Sequence, residues 1–487
     1  MTTVPTEGAA ERGSEGAPPA EAAAGPATTP APAAPPPTSA ASRRLAGRPA
    51  KPLVLLSGVT LVDQIDTNIL RGVLPLIKDD FGLEDWQLGA LGFAFVFVNA
   101  LASVPAGWIA DRVRRTRLIG WTLLSWSGLS LLSAVARSFT QLFGARASLG
   151  FGQAIDDPAS TSLLADHYPA QVRGTVFSVQ QVTTFIGAGL GIGLGGLVGG
   201  AFGWRWAFAL VGVPGSLLAF AVFRMREPSR GEAEGISLPP PPAVPVRELA
   251  GSAWSGLRSD LKMIFGIRTM RFVLVGVSAM LFTVSGVGYW LAMYHKRYSG
   301  FTEAQAAGAA GLVLATAGVI GTIWGGRASD RVYGVSPAGR ITQVSNAVIT
   351  CLVLFCASLA VPWVPVRLLL QFVAVLAAAS AIPGLRASMM DVTPVHARGV
   401  SVSAFALVST VFGTALAPAV VGLISDVTGS LVTAFYVVTP PVIVGTLVLR
   451  RAKHTIVEDA AVILASLAEA AAENPDGERD DGVDVSF

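Results

Sequence analysis

The sequence predicts an all-α integral membrane protein, with twelve transmembrane helices arranged as two pseudo-symmetric six-helix bundles. Three observations predict it. The 487 residues are 52% hydrophobic and only 14% charged, where soluble proteins average about 25% charged, and the mean hydropathy is +0.57. Apolar stretches recur that are long enough to cross a hydrocarbon layer of ~30 Å. Two short phrases occur once in each half: Gly107-Trp-Ile-Ala-Asp111-Arg112 returns as Gly326-Arg-Ala-Ser-Asp330-Arg331, and the run from Asp166 to Arg173 and Gly174 returns from Asp391 to Arg398 and Gly399. The offsets nearly agree, 330 − 111 = 219 and 391 − 166 = 225. Duplicated membrane bundles are the common architecture of secondary transporters.

The first 50 residues are rich in Ala, Pro, Thr and Gly with almost no large hydrophobes, so they read as a disordered tail. Residues 51–224 then hold six apolar spans, near 53–77, 87–110, 117–136, 139–165, 173–201 and 205–224. A polar linker occupies 225–270. Residues 271–450 hold six more spans, near 271–294, 303–327, 340–361, 365–389, 399–424 and 430–449, and 451–487 form a second tail. Lys and Arg crowd the tails, the linker and the even-numbered loops, whereas the odd-numbered loops hold Lys78, Arg137, Arg205, Lys296, Arg297 and Arg367. The positive-inside rule then puts both termini in the cytoplasm of a multi-pass cell-membrane protein.

Several classes are disfavoured. A net charge of +3 gives no electrostatic basis for nucleic-acid binding. Cys351 and Cys356 lie in one apolar span without a nearby His cluster, so neither a metal nor a disulfide is expected. No nucleophile–base pair, phosphate loop or ATP-binding loop is visible, so neither an enzyme nor a cofactor is expected. A non-transporting receptor or scaffold is the remaining alternative of another class, and the charges inside the spans argue against it.

Those charges are unusual. Span one carries Asp63, Gln64, Asp66, Asn68 and Arg71, and span four carries Arg146, Gln153, Asp156 and Asp157. Ionisable groups at this depth cost roughly 2.5–3.5 kcal/mol each on insertion scales, so they face a bundle interior or a wet cavity. Span one runs away from the terminal side and span four runs back. Arg71 and Arg146 therefore share the outer half, Asp63, Asp156 and Asp157 the inner half, and Asp66 lies near the middle. The expectation is that Asp66 titrates with protons, with Asp63, Asp156 and Asp157 as further carboxyls, and that Arg71, Arg146, Asn68 and Gln153 contact substrate. A set of static ion pairs is the plainer alternative. Tyr289 and Trp290 in span seven add an aromatic wall, and a pocket polar on one side and greasy on the other suits an amphiphile. His295 is expected to sit solvated at the outer edge.

The Gly107–Arg112 phrase, followed by Arg114, Arg115 and Arg117, resembles the loop 2–3 signature of the major facilitator superfamily, although Arg114 stands where that signature has a glycine. By this resemblance Gly107, Asp111, Arg112, Arg115, Gly326, Asp330 and Arg331 form gating latches, joined by Asp166, Arg173, Asp391 and Arg398. In span five Gly191, Gly195, Gly199 and Gly200 resemble the family's exporter motif with its proline replaced by Gly196. Close helix packing explains them equally well.

The run Gly72-Val-Leu-Pro75 through Phe81, then Trp86-Gln87-Leu-Gly89, Arg146 with Gly150 to Ala154, and Gly203 to Phe208 are similar to the spinster branch of that superfamily. This resemblance implies alternating access, a cavity lined by spans one, four, seven and ten, and proton-coupled export of lysophospholipid-like amphiphiles. Proton- or sodium-coupled uptake of a small organic anion is the second reading. Two positions depart from the branch: its Asp-Arg in span one is Asp66-Thr67 here, and its Gly-Glu-Ala in span four is Gly152-Gln153-Ala154. The expected partners are a small or lipid-like substrate, protons and membrane lipids, with the protein monomeric.

Overall fold

The computed structural model describes residues 49–168, 170–229, 262, 265–333, 337–392 and 406–473. The described residues form twelve helical spans. In the first half these are α1 Lys51–Phe81, α2 Asp85–Arg112, α3 Arg115–Ala134, α4 Phe139–His167, α5 Ala170–Phe202 and α6 Trp204–Phe223. The second half has α7 Arg268–Tyr298, α8 Glu303–Tyr333, α9 Pro337–Ala360, α10 Val364–Asp391, α11 Ala406–Thr428 and α12, which is Leu431–Val437 joined through Val438 to Thr439–Glu473.

Ten of these are apolar and long enough to cross a membrane by composition alone. The other two are α3, with Arg115, Arg117 and four serines, and α4, with Arg146, Asp156 and Asp157. Polar residues lower their mean hydropathy, while their lengths of 20 and 29 residues still span about 30 Å or more at ~1.5 Å per residue.

Local sequence ends each helix. Pro52 opens α1, and Gly82, at φ +63°, closes it, a left-handed turn that glycine adopts without a Cβ clash. Glu84 and Gln87 form a reciprocal capping box at the start of α2, and Ser138 caps α4 by accepting from Gln141. A six-residue π segment, Thr410–Ala415, interrupts α11, and its Thr414 carbonyl accepts from Ser285 of α7 at 3.0 Å.

Helix pairing repeats between the halves. In the first, α1 packs on α5 and α6, α2 on α4, and α3 on α4 and α6. Six helices later, α7 packs on α11 and α12, α8 on α10, and α9 on α10 and α12. The halves meet through α5 with α8, α2 with α11, and α1 with α7. These contacts are what a two-fold between equivalent bundles produces.

The apolar cores show which end is shut. At the ends opposite the termini, here called the far side, one continuous cluster joins both halves, from Ile77, Leu88 and Phe208 to Trp290, Tyr294 and Phe435. On the terminal side the halves keep separate cores, one around Leu56, Trp126 and Tyr168, the other around Val273, Ile341 and Ile456. The molecule is therefore closed on the far side and divided on the side of its termini. Exposed Trp121, Leu217, Trp324 and Leu369 ring its outer surface, as lipid-facing residues would.

Span-five glycines serve two neighbours. A Cβ on Gly191 or Gly195 would come within 2.5 Å of the Ile65 or Ile69 carbonyl of α1, whereas one on Gly189 or Gly196 would strike Gly311 or Ala307 of α8. Gly199 packs toward Val73 and Leu76, and Gly200 lies against Glu303. One face thus builds the first bundle and the other forms the contact between bundles. Gly72→Ala, opposite Ile192, is expected to lower thermal stability. Gly189→Ala is expected to leave it near wild type and to slow transport several-fold, because it wedges only the contact that must separate. Thermal unfolding and transport assays on the two variants check this.

Candidate functional site: a charged cavity between two latches

At the centre, α1, α3 and α4 converge on Asp66. Its carboxylate accepts from Ser130 Oγ at 2.6 Å and lies 3.5 Å from Arg146 Nη2, with both side chains almost fully buried. Arg146 also donates Nη1 to the Asp66 carbonyl at 3.4 Å and lies 4.1 Å above the Phe208 ring. The pair is close in charge but not saturated, since Arg146 Nε and Nη2 have no hydrogen-bond acceptor.

At the next residue of α1 the two departures from the spinster pattern meet. Thr67 Oγ1 donates to Gln153 Oε1 at 3.0 Å. Where that branch has an arginine and a glutamate, this chain has two neutral residues bonded to each other. At this pair of positions the polarity of the α1–α4 contact is kept and the charge is lost.

Nearer the termini, Asp63 accepts from Gln64 at 3.0 Å, and its other oxygen is buried without a partner. It lies within electrostatic reach of the carboxylates of Asp156, Asp66 and Asp157. Asp156 accepts from Ser160 at 2.9 Å. Asp157 is exposed and lies within electrostatic reach of Arg386 on α10, so the equivalent helices of the two halves present opposite charges across the cleft.

Of the expected substrate contacts, Arg71, Arg146 and Tyr289 line a small cavity with Thr67, Phe95 and Pro418. Its volume is about 30 Å³. Tyr289 donates to the Leu88 carbonyl at 2.7 Å. Asn68 instead donates to the Gln64 carbonyl of its own helix. Trp290 is fully buried and donates to the Pro418 carbonyl at 3.0 Å, so it braces α7 against α11. His295 is buried rather than solvated, because Gln371 at 2.9 Å and Ser299 at 3.0 Å engage its two ring nitrogens.

The far side is sealed by charges that sequence reasoning missed. Asp85, at the start of α2, receives both Nη atoms of Arg297 at 2.7 and 2.5 Å, Ser425 at 2.7 Å, and Lys78. Asp426 of α11 accepts the backbone N–H groups of Asp85 and Trp86 at 2.9 and 2.7 Å, capping α2 from the opposite half. Three helices of the two bundles close on one carboxylate. Carboxylates at helix N-termini are individually favourable, so nothing in α2 alone marks these contacts as joining the halves.

On the terminal side the first-half latch is intact. Buried Arg115 donates to Asp166, to Ser162 at 2.9 Å and to the Pro228 carbonyl at 3.1 Å. Glu227, just past α6, accepts the Arg115 and Thr116 backbone N–H groups at 3.0 and 2.9 Å and the Thr116 hydroxyl at 2.6 Å. Thus Arg115 and Asp166, named separately in the sequence, meet here, with Glu227 added from the linker. Burial acts to raise the Glu227 carboxyl, but bonds from Thr116 and Arg115 outweigh it and hold it below the usual carboxylate range.

A depressed folded value stabilises the latch fully above the ordinary glutamate range, near ~4.3, and this contribution is lost as pH falls through the folded value. Glu227→Gln is therefore expected to cost about 1 kcal/mol, the usual worth of a helix N-cap, at pH 7. The gap from wild type should narrow below about pH 4, as read by thermal unfolding across pH.

In the second half Asp330 lies 3.7 Å from Arg340, Arg331 is exposed and Gly326 is half-buried on α8. Gly107, Asp111 and Arg112 fall on α2 and Arg173 on α5, and Asp391 ends α10. Their side chains, and all of Arg398, lie outside the described residues. Among the described residues no three His, Cys, Asp or Glu side chains converge as a metal site would require.

Two equivalent helix bundles, a charged cavity between them and separate latches at the two ends define a membrane transporter. The chain belongs to the Major Facilitator Superfamily, whose sequence model matches residues 56–366. It is 28% identical over 386 residues to an MFS-type efflux pump of Mycolicibacterium smegmatis, covering 77% of this chain and 83% of that one. It is 24% identical over 412 residues to the probable galactarate/D-glucarate transporter of Escherichia coli, covering 78% and 87%. Human spinster homolog 1 is 29% identical over 252 residues, and this match covers 50% of the chain and 45% of that protein. Among solved structures, a bacterial homolog of the lysosomal transporter spinster, inward-facing and unoccupied, superposes with a TM-score of 0.73 at 20% identity, covering 84% of this chain and 98% of that one. The chain is thus an integral membrane transporter with spinster-like relatives.

Proposed function

We propose that this protein exports an amphipathic molecule, lipid-like or drug-like, in exchange for protons, from a cell membrane in which both termini face the cytoplasm. The far side is then the outside, and the described state is open to the cytoplasm. The observation that carries this reading is the cavity itself. Guanidinium groups of Arg71 and Arg146 share one small space with Phe95, Tyr289 and Pro418, so a polar head and an apolar body both find partners. Export is supported by the similarity to an efflux pump over most of both chains and by the glycine-rich α5.

Coupling rests on the carboxyls of α1 and α4. Asp66 is engaged by Arg146 and Ser130, whereas Asp63 has an unpartnered buried oxygen. Asp63 lies within electrostatic reach of Asp156, so these two are the groups that take the proton when the carrier resets, and Asp66 keeps Arg146 in position. Gln153 has no proton to exchange.

A second reading, proton-coupled uptake of a small organic anion, is favoured by the two arginines and by the likeness to a sugar-acid transporter. Purified protein in proteoliposomes separates the two. Under an imposed pH gradient, uphill movement of lysolipids or amphipathic drugs is expected, with hydrophilic diacids left behind. Movement of the diacids alone overturns the amphiphile reading.

A further inference from the structure

We propose that the outer hairpin of the second half, residues 416–437, is a gating element of its own, which swings on hinges at Thr410–Ala415 and at 438–441 when the far side opens. This rests on alternation between two open sides, and on neither the substrate nor the direction of transport.

The hairpin comprises the upper part of α11, the left-handed turn at Gly429 and the first turns of α12. Its two roots are interruptions of the helical ladder. In α11 the one π segment among the described residues, Thr410–Ala415, is followed by Pro418, which has no N–H to give the Thr414 carbonyl four residues back. In α12 the regular helix stops at Val437 and resumes at Thr439. There Pro440 and Pro441 have no N–H for the Tyr436 and Val437 carbonyls. Hydroxyls of α7 reach both roots. Ser285 Oγ donates to the Thr414 carbonyl at 3.0 Å, and Thr283 Oγ1 donates to the Val438 carbonyl at 3.1 Å. Such hydroxyls satisfy the backbone where prolines interrupt a membrane helix. Prolines and π segments are also the places where helices bend.

Between its roots the hairpin is tied to both halves, in different ways. To the first half it presents its polar end, where Ser425 donates to the Asp85 carboxylate and Asp426 caps α2. The backbones also touch, since a Cβ on Gly89 would fall 2.3 Å from the Pro418 carbonyl and one on Gly422 would fall 2.5 Å from that of Asp85. To its own half the hairpin holds by neutral bonds. Trp290 donates to the Pro418 carbonyl at 3.0 Å, Tyr436 Oη to the Cys356 carbonyl at 3.1 Å, and the Leu431 N–H to Tyr298 Oη at 3.1 Å. The outer end of α7 is fixed differently, because Arg367 of α10 donates to the Tyr298 carbonyl and to Ser299, and Gln371 engages His295. The second half is therefore stiff where α7 meets α10 and jointed at the hairpin that meets α2.

The arm Leu416–Thr428 has 13 residues and is about 20 Å long at ~1.5 Å per residue. A tilt of about 20°, the size of a sharp helix kink, moves its tip by about 7 Å. That displacement carries Ser425 and Asp426 off α2 while α10 stays in place.

Distances inside the second half test this. With Cys351 and Cys356 replaced by serine, spin labels are placed at Val427 on the hairpin and at Trp363 just before α10, both exposed. Pulsed dipolar measurements are made in nanodiscs across pH and in the Asp85→Asn protein. Labels at exposed Asp79 and Trp363 report the opening between the halves. Where the Asp79–Trp363 distance lengthens, the Val427–Trp363 distance is expected to shift by several ångström. Pro418→Ala, which returns an N–H to the Thr414 carbonyl, should at least halve that shift. A Val427–Trp363 distance that stays fixed while Asp79–Trp363 lengthens overturns the hairpin proposal and leaves alternation intact, with the second bundle moving as one piece. Both distances fixed under every condition overturn the hairpin and alternation together. An undiminished shift in Pro418→Ala overturns the hinge in α11. The wild-type distances decide the proposal even if Pro418→Ala does not fold.

Discussion

Asp85→Asn is expected to unseal the far side and reduce net transport at least ten-fold. The Asp85 carboxylate is the point where α1, through Lys78, α7, through Arg297, and α11, through Ser425, come together. Its side chain is 3% exposed while Arg297 and Lys78 are 26% and 30% exposed. The carboxylate is therefore the desolvated partner, and its loss leaves two cations crowded with no shared anion. Breaking a buried pair by removing one member costs about 3–5 kcal/mol. At the lower end of that range, about 3 kcal/mol, as partly exposed cations favour, the closed population falls roughly a hundred-fold relative to the open one. Ligand sites under the seal should then react from the far side, as read by labelling a cysteine placed at Thr67 with a membrane-impermeant maleimide. Wild-type labelling and wild-type transport in Asp85→Asn would remove Asp85 from the gate.

The second large effect falls on coupling. Asp63→Asn combined with Asp156→Asn is expected to abolish proton-driven accumulation and keep downhill exchange of substrate across the membrane. Asparagine preserves size and polarity at both positions but cannot carry a proton. Asp66→Asn should behave differently. It strands Arg146 beside Phe208 without its carboxylate, so its main signature is a lower melting temperature, again of the order of 3–5 kcal/mol. A double Asp63, Asp156 variant that still accumulates substrate uphill would take the proton path away from these two groups.

Much of this architecture is legible in the chain. The hydropathy and duplicated phrases give twelve spans, and the helices fall where those spans lie, with the described part of α11 beginning at Ala406. The Asp66–Arg146 contact is legible only through the plainer alternative for the charges of spans one and four, a set of static ion pairs. One signal was present and unused: the offset of 225 that relates Asp166 to Asp391 also relates Arg115 to Arg340, so the second half carries an arginine at the latch position, and it lies near Asp330.

The far-side seal was not legible, and the reason is physical. Asp85 and Asp426 each sit at a helix end, and their partners across the two halves lie 212 to 341 residues away. Only the packing of α1 against α7 and of α2 against α11 brings them together. The same applies to Thr67 and Gln153. Each looked like a lost functional group in the sequence, but their hydrogen bond makes them one neutral replacement. Burial reassigned other residues: Trp290 and His295 sit inside the far-side core because Pro418 and Gln371 satisfy their polar atoms, and polar partners on distant helices leave no local trace.

The claim that the halves alternate around this cavity is tested most directly by distances between labels in the intact protein. Spin labels at exposed Asp79 and Val427 report the far side, and labels at exposed Val113 and Arg331 report the terminal side. With Cys351 and Cys356 replaced by serine, pulsed dipolar measurements are made in nanodiscs across pH, with and without substrate. Alternation predicts that the far-side distance lengthens while the terminal-side distance shortens, and that Asp85→Asn biases both in that direction. Far-side and terminal-side distances that stay fixed, or that lengthen together, would contradict it.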